Sequence, residues 1–248
     1  MKLTIGYLYP KLMNTYGDQG NIITLVDRCQ RRNLDVEVKE IEINESIPED
    51  IDLFFWGGGQ DKAQILASED LKVKGKQLIK SASEGKLFLG ICGGYQLLGH
   101  YYKPFDGEEL KGLGILDVTT VAGNKRMIGN IVIELNSELQ ISHSELRTLV
   151  GFENHSGKTY LGKEAKPLGR ILVGGGNNGE DRFEGAYQNK VFGTYLHGPL
   201  LPKNPHFADF LIKKALEVKH SSVDLKTLDD SLEFKAHQTA IERARQIR

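Results

Sequence analysis

In the N-terminal part of the chain, short apolar runs alternate with stretches in which apolar residues recur at helical spacing. Apolar runs rich in β-branched and aromatic residues predict strands over Lys2–Tyr9, Leu34–Ile41, Asp52–Trp56 and Lys86–Ile91. Helical spacing predicts helices over Asn21–Arg32, Val73–Ser83 and Gly93–Tyr102. Because strands that alternate with helices form parallel sheets covered on both faces, the pattern predicts a three-layer α/β fold with a mostly parallel sheet.

From Gly112 onward the pattern changes to strands joined by glycine-rich segments. The predicted strands are Gly112–Val121, Met127–Leu135, Thr148–Phe152, Arg170–Val173, Ala186–Gln188 and Val191–Tyr195. Some of them should be antiparallel, added to the edge of the first sheet or forming a small second sheet. A helix is predicted over Pro205–Lys219, and residues 223–248 are predicted to form a terminal helical extension. Without repeats or linkers, residues 1–248 are predicted to form a single domain.

Composition and charge exclude several classes of protein. The 248 residues have a formal net charge of −1, so no basic surface for nucleic acid or an anionic membrane is predicted. No stretch approaches the roughly 20 apolar residues needed to cross a bilayer, and the N-terminus is typical of a strand rather than a signal peptide. Two cysteines form neither a disulfide framework nor a zinc site, so we expect free thiols, no metal and a cytoplasmic location.

One cysteine lies where a strand is predicted to give way to a helix. The segment Gly90-Ile91-Cys92-Gly93-Gly94 fits the pattern G-x-C-x-G, the cysteine form of a nucleophile elbow. The turn would expose the sulfur at the carboxyl edge of the sheet, the helix N-terminus would favour the thiolate, and the N–H of Gly93 could stabilise an oxyanion. The alternative is a small buried cysteine in a glycine-rich turn. We interpret Cys29, on the apolar face of its helix, as a core residue.

A thiol nucleophile needs a base, and His197 is the best placed of the seven histidines. It follows the apolar run Val191–Leu196 and precedes Gly198-Pro199, so it lies where a strand gives way to a loop. An imidazole there could accept the thiol proton and later donate it to a leaving amine. His155 is the alternative base. The remaining histidines are interpreted as surface or capping residues: His100, His143, His206, His220 and His237.

Three segments resemble the active-site blocks of class I glutamine amidotransferases: Trp56–Asp61, Gly90–Gln96 and Tyr195–Pro199. Within that class they resemble the CobB/CobQ-like branch, which includes the cobyric acid and cobyrinate amidases. Three further segments are similar to the GatD subfamily, the glutaminase subunits of lipid II isoglutaminyl synthase: Asn14–Asn21, Arg126–Asn130 and Gly151–His155. The resemblance extends from about residue 3 to residue 218 and implies a flavodoxin-like fold.

The resemblance implies hydrolysis of L-glutamine to glutamate and ammonia through a thioester on Cys92. The ammonia would pass to a MurT-like ligase subunit in a heterodimer. That subunit would use ATP, with Mg²⁺, to activate the α-carboxyl of D-glutamate in lipid II during peptidoglycan biosynthesis. No cofactor is expected in this chain itself, and its place would be the cytoplasm, at the inner face of the membrane where lipid II is made.

The resemblance also assigns substrate-binding residues. Gly58 and Gly59 match the family's oxyanion loop, whose backbone N–H would act together with that of Gly93, and the alternative is a plain turn after a strand. Arg126 matches an arginine that contacts glutamine in GatD-like proteins. Its guanidinium suits a bidentate grip on the α-carboxylate, and the alternative is a solvated arginine in a loop.

Two polar residues at the start of the first predicted helix have two interpretations. Asp18 and Asn21 are residue types that commonly cap helices, and capping is the simpler interpretation. The other is a role near the catalytic pocket or at the interface with a partner.

One position departs from the wider class, whose usual triad has a glutamate two residues after the histidine. Here that position is Pro199. Either Cys92 and His197 act as a dyad, or another acceptor orients the imidazole, for which Glu153 and Asn154 are hypotheses. A weakly oriented base would suit an enzyme that its partner switches on.

Three other functions remain open at the level of the sequence. One is a cobyrinate-type amidotransferase subunit, which would need its synthetase in trans because the chain has no G-x-x-x-x-G-K-[ST] loop. Another is a different hydrolase with a cysteine at the elbow. The third is a scaffold without enzymatic activity that binds a partner.

Overall fold

The chain forms two β-sheets and five α-helices in the computed structural model, which describes residues 1–141 and 146–246. The elements of the first half are β1 (Lys2–Leu8), α1 (Gln19–Gln30), β2 (Asp35–Ile41), β3 (Leu53–Trp56), α2 (Asp61–Ser83), β4 (Leu87–Ile91) and α3 (Gly93–Leu98). Those of the second half are β5 (Tyr101–Lys103), β6 (Leu110–Lys111), β7 (Val118–Leu135), β8 (Thr148–Leu161), β9 (Gly169–Val173), β10 (Phe183–Glu184), β11 (Ala186–Gln188), β12 (Val191–Thr194), α4 (Pro205–Leu216) and α5 (Ser231–Gln246).

The first sheet confirms the predicted three-layer arrangement. Its strands lie in the order β11-β12-β4-β3-β1-β2, and every neighbouring pair is parallel except β11 with β12. Strands β3, β4 and β12 are buried along their whole length, which explains why they read as continuous apolar runs. Alternate residues of β3 enter different cores: Leu53 and Phe55 lie in the core with α1 and α4, and Phe54 and Trp56 in the core with α2 and α3.

The second sheet is built mainly from antiparallel pairs. Its order is β10-β9-β7-β5-β6, with β8 paired along β7, and only β5 with β7 is parallel. The sequence left open whether the later strands extend the first sheet or form a second one, and both occur, since β11 is an antiparallel edge strand of the first sheet.

Several predicted boundaries differ from the structure. Helix α2 begins at Asp61 rather than Val73, because Ala63, Ala67 and Leu71 continue its buried face with residues too small to give a strong pattern. Helix α3 ends at Leu98 rather than Tyr102, because Gly99 is extended and packs against Val118, after which β5 begins.

Three later segments also differ. Residues 112–117 lie in no strand, and β8 continues to Leu161 rather than ending at Phe152. Of the predicted extension 223–248, only Ser231–Gln246 is helical among the described residues, and residues 247–248 lie outside them.

The topology determines where chemistry can occur. Because β1, β3, β4 and β12 are mutually parallel, the segments that follow them leave the same edge of the sheet. Those segments carry Asp18, Gly57–Gly59, Cys92 and His197. In the described part of the chain, no helix is both long enough and apolar enough to cross a membrane.

Candidate active site

Cys92 lies at the turn between β4 and α3, as the G-x-C-x-G pattern predicts. Its backbone has φ 51° and ψ −104°, a conformation that residues with a side chain rarely adopt. Cys92 N–H donates to the carbonyl of Thr194 at 2.8 Å, and its own carbonyl accepts from Gln96 N–H at 3.0 Å. A side chain at Gly94 would lie 2.4 Å from the carbonyl oxygen of Trp56, so only glycine fits there. The strained turn is therefore fixed by its neighbours on both sides.

His197 is held at the junction of the two sheets. Its N–H donates to the carbonyl of Phe152 at 2.9 Å, and its carbonyl accepts from Phe152 N–H at 3.1 Å. Its side chain is fully buried. A Cβ atom at Gly58 would lie 2.9 Å from His197 Cε1 and 3.3 Å from Cys92 Cβ, so the imidazole and the cysteine face the same small space. Cys92 and His197 are thus brought together as predicted.

The acceptor that orients the imidazole is Asp18, which the sequence left between helix capping and a role near the pocket. Asp18 Oδ1 lies 3.2 Å from His197 Nδ1, and both side chains are fully buried. Asp18 Oδ2 accepts the N–H of Gly58 at 2.6 Å, and the carboxylate makes no capping bond to α1. Of the two alternatives for His197, a dyad or another acceptor that orients the imidazole, the contact with Asp18 favours the second.

Electrostatics at the imidazole follow from this arrangement. Burial alone would lower the pKa of His197, but hydrogen bonding and charge from Asp18 and Cys92 outweigh it and raise the pKa to about 10. A histidine that holds its proton beside the cysteine sulfur can donate that proton to a leaving group.

The two residues first considered for the third position face other partners. Glu153 accepts the N–H groups of Gly175 and Gly176 at 2.7 and 2.8 Å, and burial raises its pKa. Asn154 instead contacts Arg126 and Tyr16. Because successive residues of a strand point to opposite faces, Glu153 and Asn154 lie on different sides of β8. Neither bonds to the imidazole of His197.

The alternative base, His155, is a buried neutral residue. Its ring stacks on Tyr195 with centroids 3.5 Å apart, and its Nδ1 lies 2.8 Å from the carbonyl oxygen of Gly157. Burial lowers the pKa of His155 to about 4. Of the two interpretations given for His206 and His237, surface or capping residues, the first is wrong, because both are buried. His143 lies outside the described residues.

Of the glycines expected to bind an oxyanion, two remain available. Gly58 N–H is occupied by Asp18. A Cβ atom at Gly93 would lie 3.0 Å from the backbone nitrogen of Gly59, so these two glycines approach each other closely beside the nucleophile. The N–H groups of Gly59 and Gly93 are therefore our candidates for an oxyanion site.

A cavity of about 430 Å³ opens at Cys92 and contains Arg126, Gln64 and Gln96 in its wall. The guanidinium of Arg126 is exposed to this cavity, which suits it to bind a carboxylate. The side-chain oxygens of Gln64 and Gln96 are buried without a partner among the described residues, so they can accept N–H groups of a ligand.

Asn21 supports the site from outside the cavity. Its side chain is fully buried, and its Oδ1 accepts the N–H of Leu201 at 2.8 Å, which fixes the loop that follows His197. Across residues 1–141 and 146–246, no group of three or more histidine, cysteine, aspartate or glutamate side chains is arranged to hold a metal ion.

Comparison with known protein families identifies the domain. The model of the CobB/CobQ-like glutamine amidotransferase domain matches residues 4–205. The chain is 43% identical over 244 residues to the lipid II isoglutaminyl synthase (glutamine-hydrolyzing) subunit GatD of Staphylococcus aureus, covering 98% of this chain and 96% of the relative. It is 38% identical over 234 residues to the same-named subunit of Streptococcus pneumoniae, covering 93% of this chain and 87% of that one.

Solved structures give the same fold at low sequence identity. The structure of PurLQS from Thermotoga maritima matches with a TM-score of 0.62 and 16% identity, covering 89% of this chain and 100% of that chain. A mostly parallel sheet with helices on both faces is thus a known arrangement.

Proposed function

Since this chain belongs to the CobB/CobQ-like glutamine amidotransferase family, we propose that it is the glutamine-hydrolysing subunit of a lipid II isoglutaminyl synthase. The observation that carries the proposal is the Cys92–His197–Asp18 arrangement in a chain that aligns along nearly its whole length with subunits of that name. A cobyrinate-type subunit is less well supported, because the full-length relatives are named for lipid II.

In the proposed reaction, the thiolate of Cys92 attacks the side-chain carboxamide carbon of L-glutamine. The negative charge that develops on the carboxamide oxygen is stabilised by the N–H groups of Gly59 and Gly93. Protonated His197 donates its proton to the leaving nitrogen, the C–N bond breaks, and ammonia departs. A γ-glutamyl thioester remains on the sulfur.

Water completes the cycle. His197, now neutral, accepts a proton from water as its oxygen attacks the thioester carbon, and the C–S bond breaks to release glutamate and the thiolate. Asp18 keeps the imidazole in the orientation that both steps need and stabilises its charged form.

Substrate selection in this proposal depends on Arg126. Its guanidinium binds the α-carboxylate of glutamine through two parallel hydrogen bonds. The side-chain oxygens of Gln64 and Gln96, which have no partner in the described part of the chain, accept N–H groups from the same amino acid. These contacts hold the carboxamide at the sulfur, which is the positioning that converts binding into rate.

The ammonia acceptor is proposed to be a MurT-like ligase subunit that forms a heterodimer with this chain in the cytoplasm. The partner supplies ATP and Mg²⁺ chemistry to activate the α-carboxyl of D-glutamate in lipid II, and ammonia from this chain then forms the amide. The support is that the relatives are named as subunits of a synthase, while this chain carries no phosphate-binding loop of the G-x-x-x-x-G-K-[ST] type.

The test uses the chain purified together with its co-expressed ligase. Amidation of lipid II is measured with ATP and either L-glutamine or ammonium chloride as the nitrogen source. We expect Cys92→Ser to abolish amidation from glutamine and to leave amidation from ammonium intact. Glutamine-dependent amidation by Cys92→Ser would overturn the proposal, and the ammonium reaction shows in the same sample that the complex is folded.

A further inference from the structure

Tyr16 lies over the catalytic imidazole in an unusual backbone conformation. It has φ 60° and ψ 22°, in the left-handed region that residues with a side chain seldom occupy. Its ring approaches that of His197 edge-on, with centroids 5.0 Å apart, and the tyrosine is itself 46% exposed. Strained backbone of this kind is common at functional sites, and here it lies at a half-exposed tyrosine in contact with a fully buried histidine.

The hydroxyl of Tyr16 is tied to the arginine of the cavity through one amide. Asn154 Nδ2 donates to the Tyr16 hydroxyl at 2.5 Å, and Arg126 Nε donates to Asn154 Oδ1 at 2.6 Å. Both ends of the Asn154 side chain are thus used. All three residues line the cavity that contains Cys92.

The guanidinium of Arg126 links a carboxylate bound in the cavity to Asn154 and Tyr16. Because Nε of Arg126 is held by Asn154, the two terminal nitrogens remain to bind a carboxylate end-on. A carboxylate that binds there fixes the guanidinium, and through Asn154 it fixes the hydroxyl of Tyr16. The tyrosine ring in turn packs edge-on against the imidazole whose Nδ1 faces Asp18.

We propose that Tyr16 is a positioning residue for His197 and that Asn154 couples it to Arg126, so that capture of the glutamine α-carboxylate and ordering of the base occur together. This inference rests on the proposed glutaminase function.

The first experiment measures the reactivity of Cys92 without any substrate. The full chain is treated with iodoacetamide across a range of pH, and the rate of Cys92 alkylation is followed by mass spectrometry for wild type, Tyr16→Ala, Tyr16→Phe and the control Tyr160→Ala. Tyr160 is a partly exposed tyrosine on β8 that does not line the cavity. The buried Cys29 should not react and serves as an internal check of folding.

We expect Tyr16→Ala to move the pH dependence of Cys92 alkylation, because water that reaches His197 weakens its interactions with Asp18 and Cys92 and returns its pKa towards about 6.5. Tyr16→Phe keeps the ring and should match wild type in this measurement. A Tyr16→Ala profile identical to that of Tyr160→Ala, with Cys29 unreactive, would overturn the positioning role.

The second experiment measures glutamine hydrolysis by the complex with its ligase. We expect Asn154→Ala and Tyr16→Phe to raise KM for glutamine by about three- to tenfold, since each breaks a link to Arg126. The double variant should have the KM of Asn154→Ala alone, because both changes break the same chain of contacts. Tyr16→Ala should lower kcat as well.

The outcomes separate this inference from the proposed function. Suppose that wild type hydrolyses glutamine. If the KM increases of Asn154→Ala and Tyr16→Phe multiply in the double variant, or if neither variant raises KM, the coupling through Asn154 is wrong, and the proposed glutaminase function is unaffected. If wild type releases no ammonia from glutamine with its ligase present, the proposed function fails, and the alkylation profiles still decide whether Tyr16 positions His197.

Discussion

Asp18 serves two neighbours with one carboxylate. One oxygen accepts from Gly58 N–H, which fixes the glycine loop after β3, and the other faces the imidazole of His197. The same group therefore orients the base and shapes the wall beside Cys92. Since Asp18 lies 179 residues before His197 in the chain, no local pattern reveals the contact, which arises only where the parallel strands end together.

The first prediction concerns the charge of Asp18. In Asp18→Asn the side chain keeps its size but cannot stabilise an imidazolium, and its amide can hold the wrong tautomer of His197. We expect kcat for glutamine hydrolysis to fall by about 10²–10⁴-fold and the pKa of His197 to fall from about 10. Steady-state rates as a function of pH measure both.

The matched control is Asp27→Asn, which changes an exposed aspartate on α1. It should hydrolyse glutamine at the wild-type rate. Equal rates in Asp18→Asn and Asp27→Asn would mean that the carboxylate does not orient the base.

The second prediction concerns the shape of the cation at position 126. Lysine keeps the charge of Arg126 but has no planar fork for a carboxylate. We expect Arg126→Lys to raise KM for glutamine roughly tenfold or more, with a smaller change in kcat. The exposed neighbour Lys125 provides the control, Lys125→Ala, and an unchanged KM in Arg126→Lys would exclude a bidentate grip.

At the scale of the elements, β8 shows what a strand pattern can and cannot predict. The alternation of Glu153, Asn154 and His155 between faces follows from the strand period alone, and it separates Glu153 from Asn154, the two residues proposed as partners of His197. The sequence pattern predicts a strand only as far as Phe152, so these three residues lie beyond the predicted strand. Arg126 lies where the register of β7 with β8 shifts between Ala122 and Met127, and a shift of this kind depends on the partner strand.

A buried cluster of charged side chains joins helix α5 to helices α1 and α4. The guanidinium of Arg28 on α1 bonds to Asp209 on α4 and to Asp230, which immediately precedes α5, at 2.6–2.8 Å. The Arg28 side chain is 2% exposed. The sequence pattern predicts the terminal helix. It does not predict these ion pairs, because the three residues that form them are distant in sequence.

The third prediction tests these ion pairs. Asp230→Ala removes one of the two carboxylates that bond to the buried guanidinium of Arg28, and Asp209 remains. A buried charge left with no partner costs about 3–5 kcal/mol, and losing one of two partners costs less. We expect the free energy of unfolding, measured in urea, to fall by about 1–3 kcal/mol. The exposed Asp224→Ala should leave it unchanged, and equal stabilities of the two variants would show that the cluster does not anchor α5.

At the scale of the whole molecule, the site exists because two sheets meet. The carboxyl edge of the first sheet brings Cys92 and His197 together, and the apolar runs of that sheet were sufficient to predict it. In the second sheet, Phe152 forms a backbone bridge with His197, and β7 carries Arg126. Its pairing could not be predicted from the sequence, because antiparallel partners and their register are fixed by packing between distant segments.

The fourth prediction concerns a buried carboxyl between the sheets. Glu184 on β10 accepts the hydroxyl of Thr194 and the N–H of Tyr195, each at 2.7 Å. Burial, with a contribution from the charge of Glu153, raises the pKa of Glu184 to about 7, although its hydrogen bonds oppose the shift. Because the folded state binds this proton more tightly than the unfolded state, stability should fall as pH rises from about 4.5 to about 7.

Glu184→Gln removes this titration. We expect the free energy of unfolding of wild type to fall by up to about 3 kcal/mol more than that of Glu184→Gln between pH 4.5 and pH 8. Urea unfolding at several pH values measures the difference. The exposed Glu180→Gln should keep the wild-type slope, and a Glu184→Gln slope equal to it would show that Glu184 does not titrate in this range.

In the proposed reaction, Cys92 is the nucleophile that attacks the carboxamide of bound glutamine. The most direct test treats the full chain, with its ligase, with a glutamine analogue that carries an electrophile at the side-chain carbonyl, and then measures intact and peptide masses. We expect one adduct per chain, located on Cys92, slowed by excess L-glutamine and absent from Cys92→Ser. An unmodified Cys92, or labelling that L-glutamine does not slow, would contradict it.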